Sequence, residues 1–174
     1  MKRIQIMGGL FTLVLGTLLH FAYGWSGGNA AVGAFSAVNE STWEHLKLLA
    51  MPVLLFGGAE YFLYGKKINN FIPVKALSAL LGMGVIVALF YTYVGIVGRH
   101  FLWADIGTFV VGVVAAYLLS TRFLNTEVFT SRIWGILGGL VLAAILACFV
   151  LFTFFPPHIG LFLDPISHGY GRCP

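Results

Sequence analysis

Five stretches of this chain are each long and apolar enough to cross a lipid bilayer, and no other feature limits its fold so strongly. They run at about 4–23, 46–64, 74–97, 101–120 and 133–155, and a helix needs roughly 20 residues to span the hydrocarbon core. A bilayer offers backbone amides no water, so each stretch must satisfy its own hydrogen bonds as an α-helix. Composition agrees: 59% of residues are hydrophobic and 9% charged, against about a quarter charged in soluble domains. The expectation is an all-α, polytopic membrane helix bundle with five transmembrane helices. It forms a single transmembrane domain over residues 1–174, with an outer loop at 24–45 and an outer C-terminal tail at 156–174. The first stretch reads as a helix and not a cleaved signal, because its apolar part is too long and no small-residue cleavage site clearly follows before Trp25.

Lysine and arginine orient the bundle. Lys2, Arg3, Lys66, Lys67, Lys75, Arg122 and Arg132 fall on one side of it, Lys47, Arg99 and Arg172 on the other. That bias puts the N-terminus inside and the C-terminus outside, in the cell inner (cytoplasmic) membrane. The net charge of +4 therefore reflects topology, and nucleic acid is not an expected partner. Tyr23, Trp25, Trp43, Trp103 and Trp134 suit the aromatic belts at the two interfaces. Gly8, Gly16, Gly82, Gly112 and the Gly135/Gly139 pair suit close helix packing.

On this topology all five histidines, His20, His45, His100, His158 and His168, fall in the outer layer. Four of the six acids, Glu40, Glu44, Asp105 and Asp164, join them. Orientation rules concern lysine and arginine and give acids little weight. Convergence from across the sequence thus points to a site.

The stretch "NESTWEHLK", residues 39–47, holds four ionisable side chains in nine residues. Ser41-Thr42-Trp43-Glu44 fits a capping box, in which Ser41 accepts from the backbone three residues on and Glu44 reaches back. If the helix begins as early as Asn39, Glu40 stacks over Glu44 and Ser41 over His45. Like charges at i,i+4 repel by a few tenths of a kcal/mol, and a cation would relieve them. Asp105 lies about a turn inside the fourth span, where an aspartate is expensive and needs a partner. Arg99 or the backbone of the Gly98-Arg99-His100 hairpin is one candidate, a metal ion or a metal-bound histidine the other. His20 sits about a turn from the end of the first span, and His100 reads as a helix cap.

The tail "PPHIGLFLDPISHGYGRCP" begins with a helix stop and is too apolar at Ile159, Leu161, Phe162 and Leu163 for a free end. It should fold back over the outer face, carrying His158, Asp164, His168 and Tyr170 toward the site. The first outer loop should hold a short interfacial helix from Ala30 to Val38, Pro52 should kink the second span, and Glu60 should pair with Lys66, Lys67 or Lys75. Cys148 and Cys173 differ too much in depth to pair easily.

These residues define a candidate metal site with His20, His45 and Asp105 as first ligands and His168 and His158 next. Glu44 and Glu40 are the candidate proton acceptors, and Ser41 a further catalytic candidate. Histidine with carboxylate suits zinc first, and iron or manganese also. There is no His-Glu-x-x-His, paired-cysteine finger or glycine-rich phosphate loop.

"NESTWEHLK" and the closing "FLDPISHGYG" resemble an uncharacterised family of small prokaryotic integral membrane proteins, over essentially the whole chain. That resemblance implies no activity. At the level of the site, Ser41, His45 and Asp105 are similar to the Ser-x-x-x-His pair and aspartate of the alkaline ceramidase and adiponectin receptor superfamily of membrane hydrolases. The resemblance implies zinc held by histidines. That superfamily has seven spans and a closing His-x-x-x-His pair, neither of which occurs here.

Two classes of function fit. One is a zinc-dependent hydrolase with an outward-facing site, acting on an amide or ester of a lipid or small molecule at the outer face. The other is non-enzymatic: a membrane subunit, a carrier, a haem or other cofactor-binding protein, or an assembly factor docking a partner protein. Haem needs two histidines on facing helices at one depth. An ion carrier needs polar groups through the bilayer, whereas the second span is apolar from Leu48 to Ala59.

Overall fold

A computed structural model describes residues 1–172. Each apolar stretch is helical, and the described residues form six α-helices: α1 (Lys2–Trp25), α2 (Ala30–Gly33), α3 (Thr42–Leu63), α4 (Phe71–Val97), α5 (Leu102–Phe123) and α6 (Arg132–Phe154). All but the short α2 are long and apolar enough to cross a membrane, as expected of a multi-pass membrane protein. Single 3-10 turns at Gly65–Lys67 and Gly160–Phe162 complete the regular structure.

Helices α3 and α4 begin a turn or nearly so before the apolar patterning predicts, and α1 and α6 only one or two residues before it. The second span was expected from Leu46, but α3 starts at Thr42, because the Ser41 side chain accepts from the Glu44 amide at 3.4 Å and caps the charged turn. The capping box is only half formed. The Glu44 carboxylate takes the Val38 amide at 3.1 Å, and the Ser41 amide donates to the Asn39 side chain at 2.9 Å. The third span starts at Phe71 with Pro73 inside its first turn, where a proline's missing amide has no intrahelical acceptor to lose. The outer-loop helix is shorter than expected. Asn29 caps it by accepting from the Ala31 amide at 2.9 Å, and it ends at Gly33, whose carbonyl is drawn to Lys47 together with that of Ser36.

Helix α3 is central, packing against α1, α4, α5 and α6. Its Leu49, Ala50 and Val53 meet Ala79 and Met83 of α4 and Val113 of α5 in the core. Association of helices in lipid relies on close packing, and glycines permit it here. A Cβ on Gly82 would lie 3.0 Å from the Gly112 carbonyl oxygen, and one on Gly112 would lie 2.9 Å from that of Gly82. A Cβ on Gly16 would collide with the Leu48 carbonyl, the one that Pro52 leaves without an intrahelical donor. Gly135 and Gly139, by contrast, face open space, and it is Gly138 that packs, on Pro73.

At the end of the bundle that carries the N-terminus, Glu60 is buried and forms its ion pair with Lys75, with Gln5 and Tyr64 also donating to its carboxylate. At the other end the tail folds back. Leu163 bridges to Tyr170, the Arg172 amide donates to Thr153 at 3.3 Å, and Asn39 donates to the Gly171 carbonyl at 2.7 Å. Cys148 has no disulfide partner among the described residues; the expectation about its pairing involves Cys173, which lies outside them.

Candidate metal site

Near the tail-bearing end, α1 and the start of α3 bring three ligand-type side chains together. His20, Glu40 and His45 each offer one ligand atom, and these atoms all lie within 4.8 Å of one another. His45 Nε2 is 3.4 Å from one Glu40 oxygen, and His20 Nε2 is 3.9 Å from the other. The two imidazole centroids are 5.2 Å apart.

The backbone sets the tautomer of His45. Its Nδ1 lies 2.9 Å from the Ser41 carbonyl oxygen, which can only accept, so Nδ1 carries a proton. Nε2 then turns toward a carboxylate, which also only accepts. The pair requires positive charge between them, either a second proton on His45 or a metal ion. A histidine held by Nδ1–H to a backbone carbonyl while Nε2 faces the ligand is the usual arrangement at metal centres. The His45 imidazole holds the Glu40 carboxyl below the usual carboxylate range, against the opposing effect of burial, and the charges of His45, His20 and His100 add to the effect. His20 Nδ1 is buried and has no hydrogen-bond partner among the described residues.

Glu40 and His45 form part of one wall of a cavity of about 310 Å³; His100 and Asp105 form part of another. Asp105 accepts a hydrogen bond from the Tyr93 hydroxyl across the α4–α5 hairpin and lies 3.1 Å from His100 Nδ1. It therefore faces the histidine cluster and is not within it. Its partners are not Arg99, which stacks over Phe101 with its guanidinium 4.9 Å from the ring centroid. Gly98, in the left-handed region at φ 79°, makes the turn that brings Tyr93 and His100 to Asp105.

The other candidates lie elsewhere. Glu44 is 2% exposed and does not line the cavity; its carboxylate receives Lys47 Nζ at 2.7 Å and the Thr153 hydroxyl at 3.4 Å. Lys47 is fully buried and also donates to the carbonyls of Gly33 at 3.0 Å and Ser36 at 3.2 Å. This clasp ties the outer loop and α6 to α3. Ser41 uses its hydroxyl as the α3 cap. His158 stacks on Tyr170 with centroids 4.5 Å apart, and His168 is exposed at φ 54° in the turn after Asp164. Neither joins the cluster of His20, Glu40 and His45.

Sequence reasoning did not single out Tyr93, whose signal was its place opposite Asp105 across a short hairpin. Lys47, placed with the outer basic residues by its position and within i+3 reach of Glu44, pairs with that acid and is buried with it. No curated protein and no solved structure matches the chain. The family model described as "Family of unknown function (DUF6512)" matches residues 1–172, and the chain belongs to that family.

Proposed function

We propose that this is a membrane-embedded metal protein in which His20, Glu40 and His45 hold a divalent ion, zinc first. The reading rests on the convergence of these three ligand atoms within 4.8 Å. Ligand atoms at 2.0–2.1 Å around a tetrahedral ion stand roughly 3.3 Å apart; His45 is 3.4 Å from one Glu40 oxygen, His20 is 3.9 Å from the other, and the three ligand atoms spread over as much as 4.8 Å, so an ion would draw the side chains closer together. Three protein ligands leave a fourth position open, as at catalytic rather than structural zinc sites. Glu40 lies between imidazoles whose centroids are 5.2 Å apart, where a porphyrin would need the space, so an ion suits the site better than haem.

The finer reading is hydrolytic. A bound ion would activate water at neutral pH, and Asp105 on the facing wall is the carboxylate best placed to take its proton, since Lys47 engages Glu44. The substrate class is an amide or ester at headgroup depth. No comparison supports the likeness to the alkaline ceramidases, so hydrolysis is argued from the donor set alone. Two of the lysines counted for topology, Lys47 and Lys75, are buried in ion pairs. The remaining basic residues are Lys2, Arg3, Lys66, Lys67, Arg122 and Arg132 at one end and Arg99 and Arg172 at the other. That bias supports a cytoplasmic N-terminus and a site facing outward from the inner membrane.

Elemental analysis of the purified protein tests the metal reading. The expected result is stoichiometric metal in the wild type, lost in His45→Ala and Glu40→Ala. A metal-free wild type with an intact fold would leave a plain His45–Glu40 ion pair and sink the proposal.

A further inference from the structure

Around the cavity α3 and α5 pass from charged to apolar side chains with depth, with the Thr108 hydroxyl between Asp105 and Phe109, and α4 presents an apolar face. On α3, Leu48 lies three residues deeper than His45. On α5, Phe109 lies one turn deeper than Asp105. On α4, Val94, Phe90 and Ile86 descend turn by turn along one face, spanning about 12 Å. Ile86 is 5% exposed and belongs to the core, so the floor of the cavity reaches into the bundle. Leu163 and Ile166 of the folded-back tail line its outer part.

A space lined by hydrocarbon holds water poorly, and polar walls at its mouth are poorly matched by a purely apolar guest. We infer that the cavity binds a single-chain amphiphile. Its alkyl chain lies along Ile86, Phe90 and Val94, against Leu48 and Phe109, and its oxygen-bearing head sits between Glu40/His45 and His100/Asp105. A volume of about 310 Å³ is at the low end of ligand pockets, about 300–1,000 Å³, which suits one chain and not two. The chain-binding half stands on the cavity alone. The head-binding half rests on the metal reading: a divalent ion with one carboxylate ligand keeps net positive charge and favours a carboxylate or phosphate oxygen in its open position.

The test uses full-length protein in phosphatidylcholine nanodiscs with photoactivatable probes carrying a diazirine on the alkyl chain. The probes are a medium-chain fatty acid, a lysophosphatidylcholine and a diacyl phosphatidylcholine. Expected is labelling of Ile86, Phe90 or Phe109 by a single-chain probe, competed by its unlabelled form. A fatty-acid label marks a free amphiphile as the source, and a lysolipid label marks the bilayer. Filling the space with Leu48→Trp or Val94→Trp should lower the label by about tenfold or more, a difference of about 1.4 kcal/mol in binding. Leu137→Trp on the lipid-exposed face of α6 should not. Cavity labelling in a metal-free wild type would refute the metal reading and keep the chain-binding half. Labelling confined to lipid-facing residues such as Leu137, or equal cavity labelling by the diacyl probe, would overturn this inference, and the wild-type peptide map decides that without any variant.

Discussion

Ser41 fixes His45 with its backbone carbonyl, 2.9 Å from Nδ1, while its hydroxyl caps the helix on which His45 sits. The two roles separate by mutation. Ser41→Ala keeps the carbonyl and removes the cap, so it should lower thermal stability by about 1 kcal/mol and leave metal content unchanged. If Ser41 acts in catalysis instead, the variant would lose activity at unchanged metal loading. Unfolding midpoint and elemental analysis check the first outcome, and ester or amide turnover by the same sample checks the second.

Acid should act on this site in two ways, on Glu40 itself and on the hold on a metal. Glu40 has a folded-state value below its unfolded one, because His45 stabilises its anion. Its contribution to stability is therefore present above about pH 4.3 and lost as pH falls through the lower folded value. Imidazoles must be neutral to ligate, so protons compete with the metal for His20 and His45. Zinc retention should fall as pH is lowered, with a midpoint that moves to lower pH as the zinc concentration is raised. In metal-free protein, Glu40→Gln should flatten the acid limb of the stability curve. A midpoint that does not move with zinc concentration would mean that protons and metal do not compete for these side chains.

The five spans and the layer of the site are legible in the sequence because apolar length and lysine–arginine placement are local signals. His20 and His45 share a depth that counting residues from the span ends reveals. The buried state of Glu44 and Lys47 is not legible in this way. Their partners, the Val38 amide, the Gly33 and Ser36 carbonyls and the Thr153 hydroxyl, come from a loop and from the last helix. Asp105 announced that it needed a partner, but the choice of Tyr93 and His100 depends on the hairpin turn at Gly98. The tail's return was readable from its apolar residues. That His158 would stack on Tyr170, away from the cluster, depends on the Leu163–Tyr170 bridge.

The Glu44–Lys47 clasp predicts an asymmetry between single and double variants. Lys47→Met leaves a buried carboxylate without its cation, and Glu44→Leu leaves a buried ammonium without its anion. Each should destabilise by about 3–5 kcal/mol. The double variant Glu44→Leu/Lys47→Met removes both charges and should recover much of that loss. Thermal unfolding of the four proteins in one detergent checks this. A double variant as poor as the sum of the singles would show that the pair's hydrogen bonds to Val38, Gly33, Ser36 and Thr153 matter more than its charge balance.

Glycines of the same residue type should respond in opposite directions. At Gly82 an added methyl would meet Leu49 Cδ1 at 2.9 Å, Ala116 Cβ at 3.0 Å and the Gly112 carbonyl oxygen at 3.0 Å. The Leu49 methyl can turn aside, but the Ala116 Cβ and the Gly112 carbonyl are fixed to the α5 backbone, so Gly82→Ala should push α4 away from α5, at a cost of about 1–3 kcal/mol. At Gly135 an added methyl meets nothing within 4 Å, and replacing a helical glycine by alanine favours the helix by up to about 1 kcal/mol. Gly135→Ala should therefore be neutral or stabilising in thermal unfolding. A clear loss at Gly135 would reveal that this face of α6 is packed against something in the membrane, because the described residues supply no neighbour there.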